Sequence, residues 1–236
     1  MNICIIPARG GSKRIPRKNI KIFNGRPIIA YSIDAAIASG CFDKVIVSTD
    51  DNEIARVAKD FGAEVPFMRP AEISNDLAAT NPVISHAVDW MESKGNLINH
   101  VCCLYATAPF IEPNSISNAY KKFKEMNADF CFSVTSFPFP IQRAIKITEN
   151  DKVELFQPEH FLSRSQDLDE TYHDAGQFYW GTKQAFNKDI SILSETVIPY
   201  ILPRHLVQDI DSPEDWIRAE IMHEVIQKIN RKNNAN

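Results

Sequence analysis

Residues 2–19 read NICIIPARGGSKRIPRKN, and the order of their parts sets the architecture. "ICIIP" is a short, β-branched apolar run of the kind that forms a buried strand. "PARGGSKRIPRKN" (Pro7 to Asn19) then carries two glycines and five cations, Arg9, Lys13, Arg14, Arg17 and Lys18, without a carboxylate. "PIIAYSIDAAIASG" (27–40) follows as a helix, with proline near its start and glycine at its end. Strand, glycine loop and helix form the repeating unit of open α/β sheets, which bind ligands at the carboxyl ends of their strands.

Outward from this unit the alternation continues. "KVIVSTD" reads as a strand and "DNEIARVAKDFG" as a helix with an acidic first turn; "EVPFM" is a candidate third strand. "NPVISHAVDWMESKG" is a helix, "HVCCLYATAP" a strand, "NSISNAYKKFKEM" a helix and "DFCFSVTSF" a strand. This βαβα rhythm predicts a mostly parallel sheet covered by helices. It breaks over about 137–180, where "SFPFPIQRAIKI" and "QPEHFLSRSQDLDETYHDAGQFYWG" lack helical period, as expected of an inserted excursion. The pattern returns with "TVIPYILP", "QDIDSPEDW" and a long helix to about Ile229, before a polar tail at 231–236.

Charge is unevenly distributed. Residues 1–33 hold seven cations and no acid before Asp34, so with a whole-chain charge of -4 the remainder carries -11. That excludes a broadly basic nucleic-acid surface and leaves a local anion site near the N-terminus. No apolar stretch approaches the roughly 20 residues of a membrane span. The five cysteines, Cys4, Cys41, Cys102, Cys103 and Cys131, show no CxxC spacing, which predicts reduced thiols in a cytoplasmic protein.

The loop matches neither GxGxxG nor GxxxxGK[ST]. Its chemistry is still that of a phosphate cradle. Gly10 and Gly11 allow backbone N–H groups close to an anion, Arg9 can fork onto two oxygens, and Lys13 adds a point charge. The plain alternative is a solvated basic loop.

"PARGGSKRIPRKN", "KVIVSTDDNEIARVAKDFGAEV", "RPAEISNDLAAT" and "QDIDSPEDW", in this order, resemble the cytidylyltransferases that activate sialic acid-like sugars. "VCCLY" and "RSQDLDETYHDAGQFYWG" resemble the branch that uses pseudaminic acid. The resemblance implies one catalytic domain over 1–230, with a Rossmann-like three-layer α/β/α fold of the nucleotide-diphosphosugar transferase type. A small arm inserted at about 137–180 would serve dimerisation and the sugar pocket. The reaction implied is CTP plus pseudaminic acid giving CMP-pseudaminic acid and pyrophosphate. Legionaminic, neuraminic or 3-deoxy-manno-octulosonic acid are alternative acceptors, and a non-catalytic nucleotide-binding module is an alternative role.

By the same resemblance, Arg9, Ser12 and Lys13 hold the phosphates, with Arg9 and Lys13 stabilising the charge that grows on departing pyrophosphate. Asn19 faces the nucleotide, and Arg69, Asp76 and Thr80 match positions near base and ribose. Arg14, Arg17 and Lys18 are assigned no role. Asp50 closes "VSTD" and is also a candidate helix cap, as is Thr80 or Asn81 just ahead of Pro82. Asp209 and Asp211 are two apart, so in an extended segment both carboxylates point one way and suit Mg²⁺, with Asp211 counted as catalytic. Asp211 or Ser212 also reads as the cap of the last helix. The sugar pocket falls on Gln142, Arg143, Arg164, Gln166, His173 and Asp174, with His173 a candidate base. The sialic acid branch has lysine where Gln142 stands, glutamine where Tyr105 stands and arginine near Phe110–Ile111, so a differently substituted nine-carbon acid is expected. "HDAGQFYWG" reads alternatively as a core strand with Gly176 at a bend. Phe137, Phe139 and Phe161 are expected at the contact with a second subunit.

Overall fold

A computed structural model describes residues 1–75, 78–187 and 194–233. In chain order the elements are β1 (Asn2–Pro7), β2 (Ile22–Phe23), β3 (Arg26–Pro27), α1 (Ile28–Ala38), β4 (Lys44–Ser48), α2 (Asn52–Asp60) and α3 (Thr80–Ser93). There follow β5 (His100–Leu104), α4 (Pro113–Glu125), β6 (Phe130–Ser136), β7 (Ile145–Ile147), β8 (Val153–Leu155), β9 (Tyr172–Thr182), α5 (Lys183–Asn187), β10 (Val197–Ile201) and α6 (Pro213–Asn233). The expected alternation is present, with one strand lost. "EVPFM" makes only an isolated bridge, Glu64 beside Ile46, because Pro66 two residues on has no N–H to extend a ladder.

The main sheet has the order β10-β6-β9-β5-β1-β4. β4, β1 and β5 run parallel, as do β6 and β10. β9 is antiparallel to both its neighbours, β5 and β6. The chain leaves β1 to one side for β4 and returns to the other side for β5. The crevice between the carboxyl ends of β1 and β5 is therefore a topological switch point, where open α/β sheets place ligands.

Helices cover both faces because β1 alternates its apolar side chains. Cys4 and Ile6 join Ile33 of α1, Ile54 of α2 and Ile116 and Phe123 of α4 in one core. Ile3 and Ile5 join Ile84, Val88 and Met91 of α3 and Phe186 of α5 in the other. A third cluster seats α6 through Trp216 and Ala219 on Phe23, Ile28 and Ile210, with the Trp216 and Phe23 rings edge-on at 5.5 Å. That packing carries the Asp209–Asp211 segment to the N-terminal loop.

Of the stretch 137–180, only the part before Tyr172 leaves the sheet; the rest is β9, at its centre. The alternative reading of "HDAGQFYWG" as a core strand thus describes where it lies. Trp180 is fully buried, stacks on Phe42 and Tyr120 at 4.9 and 4.3 Å, and donates from Nε1 to the Ile116 carbonyl at 3.1 Å.

Gly181 lies between two rings. A Cβ there would stand 2.6 Å from Phe130 Cε1 and 2.8 Å from Phe186 Cε2. Gly181→Ala is therefore expected to destabilise the fold by about 2 kcal/mol through overpacking. Urea unfolding should show a lowered midpoint with an unchanged slope; an unmoved midpoint would contradict this packing.

Candidate active site

The basic loop is held by two adjacent carboxylates at the end of β4. The Gly10 N–H donates to Asp50 Oδ1 at 2.9 Å. Gly10 is also wedged against Asp51, where an added Cβ would stand 2.8 Å from Oδ2, while Gly11 has nothing within 4 Å. The expectation that both glycines offer N–H groups to an anion is corrected for Gly10, whose donor is spent on Asp50. Asp51, not Asp50, caps α2, accepting from the Glu53 and Ile54 N–H groups at 2.9 and 3.0 Å. Asp51 further pairs with Arg17, which donates to Oδ1 at 2.9 Å from a left-handed backbone at φ 57°.

A cleft of about 450 Å³ opens at the β1/β5 crevice. Its lining brings together Arg9, Ser12, Lys13, Asn19, Arg69, Thr80 and Asp211 from distant parts of the chain. Asp76 lies outside the described residues. Two cations without an assigned role also line the cleft: Arg14 and Lys18 pair with Asp211 at 2.9 and 3.3 Å, and Lys18 donates to the Ile210 carbonyl at 2.7 Å. Their signal in the sequence was spacing alone, since nothing there placed Asp211 beside the loop.

Asn19 is buried and its Nδ2 donates to the Arg9 carbonyl at 2.9 Å, so part of its amide braces the loop. Arg69 is buried and donates from Nη2 to the Ser48 carbonyl at 2.8 Å, yet its buried Nε has no partner among the described residues. Burial lowers the Arg69 pKa from its ordinary value, opposed by the Asp50 charge. A buried guanidinium with an orphaned N–H at a cleft wall is a site that gains from an acceptor. Thr80 does not cap α3. The cap position is Ala79, which has no side-chain acceptor, so Thr80 falls inside the first turn with its Oγ1 3.5 Å from the Tyr105 hydroxyl.

At the far end of the chain, Ser212 and Asp215 form the capping pair of α6. Asp215 Oδ2 accepts from the Ser212 N–H at 2.8 Å, and the Asp215 N–H donates to Ser212 Oγ at 3.2 Å. Ser212 is thus the cap, and the Asp211 carboxylate remains turned to the cleft. Partial burial, then the Asp211 charge, push the Asp209 carboxyl above its usual range, with Lys18 pulling it back. Two carboxylates that repel one another beside a polyphosphate-sized cationic cleft fit a divalent cation that takes its other ligands from substrate and water. Asp211 lines the cleft and Asp209 does not. Among the described residues no three His, Cys, Asp or Glu side chains form a metal cage by themselves.

The residues expected around the sugar divide into two groups. Gln142, Arg143, Arg164 and Gln166 lie on the arm. There Gln142 Nε2 donates to the Asp169 carbonyl at 3.0 Å, and Arg143 approaches Ser165 Oγ at 3.4 Å. Arg164 precedes a 3₁₀ turn, and Gln166 lines an outer groove with Phe137 and Phe139. None of the four lines the cleft. His173, on β9, has its ring 4.8 Å from Phe137 and its Nδ1 2.8 Å from the Asp174 carbonyl; it too stands away from the cleft, so within one chain it is not placed as a base. Asp174 alone borders a second cavity, of about 240 Å³, which shares Thr80 and Tyr105 with the cleft.

A family model described as Cytidylyltransferase matches residues 3–211. The chain belongs to this family. It is 47% identical, over 95% of its length and 97% of the other's, to the pseudaminic acid cytidylyltransferase of Campylobacter jejuni subsp. jejuni serotype O:23/36 (strain 81-176). It is 31% identical, over 96% and 97%, to the CMP-N,N'-diacetyllegionaminic acid synthase of Legionella pneumophila subsp. pneumophila (strain Philadelphia 1). In fold it is similar to a CMP:2-keto-3-deoxy-manno-octonic acid synthetase solved with CTP, at TM-score 0.68 and 14% identity, covering 96% of this chain and 99% of that one. The mostly parallel three-layer architecture expected from the sequence is thus that of a known cytidylyltransferase.

This cytidylyltransferase has no helix, among its described residues, long and apolar enough to cross a membrane. Its loop anchor carries a pH signature. The Arg17 hydrogen bond is the largest effect holding the Asp51 carboxyl down at about 2, against 3.8 ordinarily. A depressed carboxyl stabilises the fold above its unfolded value and loses that contribution as pH falls through the folded one, here from about pH 4 to about pH 2. Solvent screening limits the contribution to about 1 kcal/mol. Asp51→Asn, which keeps a capping side chain, should unfold about 1 kcal/mol more easily at pH 7. That gap should close as pH falls from 4 to 2; a constant gap in urea titrations at both pH values would exclude the linkage.

Proposed function

We propose that this cytidylyltransferase activates pseudaminic acid: CTP and the sugar acid give CMP-pseudaminic acid and pyrophosphate. The observation that carries the reading is the cationic cleft at the β1/β5 switch point, in a chain nearly half identical end to end to an enzyme of that name. In the reaction the anomeric hydroxyl oxygen forms a bond to the α-phosphorus of CTP in line with the departing pyrophosphate. The bond from the α-phosphorus to the bridging oxygen breaks, and the hydroxyl gives up its proton.

Arg9 and Lys13 draw charge from the β- and γ-phosphates, most strongly as pyrophosphate leaves, and Ser12 donates a hydrogen bond to the same group. Arg69, with its orphaned Nε–H, serves the ribose and base end together with Asp76 and Thr80, and Asn19 keeps one face of its amide for the nucleotide. Members of this family work with a divalent metal; Asp209 and Asp211 would hold Mg²⁺, which supplies phosphate charge neutralisation and acidifies the attacking hydroxyl. Arg14 and Lys18, paired with Asp211, hold its carboxylate in place.

Lys13→Ala should reduce pyrophosphate release from CTP and pseudaminic acid by roughly 100-fold, and Asp211→Asn should do the same and flatten the response to Mg²⁺. The panel of acceptors should include legionaminic, neuraminic and 3-deoxy-manno-octulosonic acids. Equal or faster turnover of any of these overturns the sugar assignment, and CTP binding without turnover overturns the enzymatic one.

The arm completes the site of a second subunit in this reading. It exposes Phe139, Phe161, Leu162 and Ile147 at 79%, 64%, 88% and 72%, more apolar surface than a lone hairpin leaves to water without a partner. In the homodimer, Gln142, Arg143, Arg164 and Gln166 are offered to the partner's sugar acid, whose carboxylate needs a cation. Phe139→Ser with Phe161→Ser should convert a dimer to a monomer in light scattering and depress turnover at saturating CTP; a wild-type monomer would contradict the arm's role.

A further inference from the structure

Gln177 is a polar side chain at a place where the sheet is otherwise packed with apolar ones. It lies on β9 between Gly176 and Phe178, with 3% of its surface exposed. A bulge puts it there. Gly176 takes a φ of 62°, and β9 pairs Tyr179 with Phe132 but Asp174 with Val134, so Ser133 alone stands opposite residues 175–178. Ala175 and Phe178, an odd number apart, accordingly face the same core, and Gln177 falls in the kink between them. Its N–H donates to Ser133 Oγ at 3.3 Å, its carbonyl accepts from the Tyr105 N–H at 2.8 Å, and its side-chain Nε2 donates to the Leu206 carbonyl at 2.5 Å. A methionine would fill the same space without the cost of burying an amide. It could not hold a carbonyl.

The two groups that Gln177 holds belong to different walls of the site. Tyr105 follows β5 and, with Ala106 and Thr107, lines the nucleotide cleft. Leu206 ends the 3₁₀ turn Arg204–Leu206 and begins the run to Asp209 and Asp211. That run has no ladder of its own: from Gln208 to Ile210 there is no backbone–backbone hydrogen bond among the described residues. Leu206 and Ile210 pack in the cluster of Trp216, but apolar contact is non-directional and lets an extended segment slide. Hydrogen bonds at its two ends supply the direction. At the far end Lys18 donates to the Ile210 carbonyl at 2.7 Å, and Asp215 accepts from the Asp211 N–H at 3.2 Å. Those partners come from the basic loop and from α6. At the near end the partner is Gln177, from the centre of the sheet.

We infer that Gln177 is a positioning residue for the carboxylates proposed to bind Mg²⁺: its amide sets where the Asp209–Asp211 segment stands relative to the cleft wall at Tyr105. The inference rests on the proposed metal role of Asp209 and Asp211 and deepens it, by naming the contact that ties them to the sheet.

The test measures, by calorimetry on the full chain, the CTP dissociation constant in EDTA and in Mg²⁺; their ratio is the factor by which the metal tightens CTP. Gln177→Met keeps the bulk and removes the donor. It should bind CTP in EDTA as wild type does, which also shows that it folds, while losing roughly tenfold of the tightening. Its kcat for pyrophosphate release should fall by a similar factor. Thr135→Val is the control. It removes another buried bond, from Thr135 Oγ1 to the Leu202 carbonyl at 2.9 Å, ahead of the turn, and should keep the wild-type ratio. Gln177→Glu gives a second measurement within one folded protein. Its ionised carboxylate repels the Leu206 carbonyl and its protonated carboxyl donates to it, so its deficit relative to wild type should shrink as pH falls from about 8 to about 6. A wild-type ratio in Gln177→Met, an equal loss in Thr135→Val, or a Gln177→Glu deficit that ignores pH would overturn the positioning role and leave the metal assignment intact. A wild type whose CTP affinity does not respond to Mg²⁺ would remove both.

Discussion

The paired carboxylates that end β4 are the contact on which the site depends. Five cations crowded into one loop repel each other, and a free loop of that composition would spread into solvent. Asp50 takes the Gly10 N–H, and Asp51 takes Arg17 while capping α2. One helix terminus thereby anchors the loop, and the cation it takes up, Arg17, is one that does not line the cleft. Arg14 and Lys18 are turned the other way, onto Asp211. The loop is stretched between two acidic posts, and Arg9, Ser12 and Lys13 line the cleft along with them. A residue with a side chain at position 10 would collide with Asp51, so the glycine serves close approach to a carboxylate and not to a phosphate.

The second constraint is the parity of β9. As an antiparallel strand in an otherwise parallel neighbourhood, it brings the chain back into the centre of the sheet after the arm. Its bulge at Gly176 lets the strand serve two purposes: on one face Phe178 and Trp180 fill the core against α4, while on the other Asp174 and Tyr179 meet beside the cleft. Ser133 accommodates the irregularity, its hydroxyl accepting from the Gln177 and Phe178 N–H groups at 3.3 and 3.1 Å. Without that hydroxyl the bulge would bury two donors unpaired.

The arm is the complementary case. It buries little of its own surface, and its polar residues bond to each other and not to the cleft. Its stretch was recognisable from composition, because prolines and aromatics without period cannot make a plain connection of that length. Where it ends was not, since Tyr172–Thr182 has the same aromatic character as the arm but pairs on both sides.

By itself the sequence determined the alternation of strands and helices, because apolar period and terminal prolines and glycines are local properties. It also determined the cluster of cations and glycines after β1 and the spacing of Asp209 and Asp211. Only the tertiary structure decided which cations serve the cleft: Arg14 and Lys18 differ from Arg17 solely in which distant carboxylate they meet. It decided that Asp51 and Ala79 are the caps, a difference of one residue that periodicity cannot resolve. It also separated Asp174 from the arm residues it was grouped with, through a bulge whose only mark in the sequence is one glycine in an aromatic strand. Local pattern fixes what each segment becomes; pairing between residues far apart in the chain fixes which side chains share a cavity.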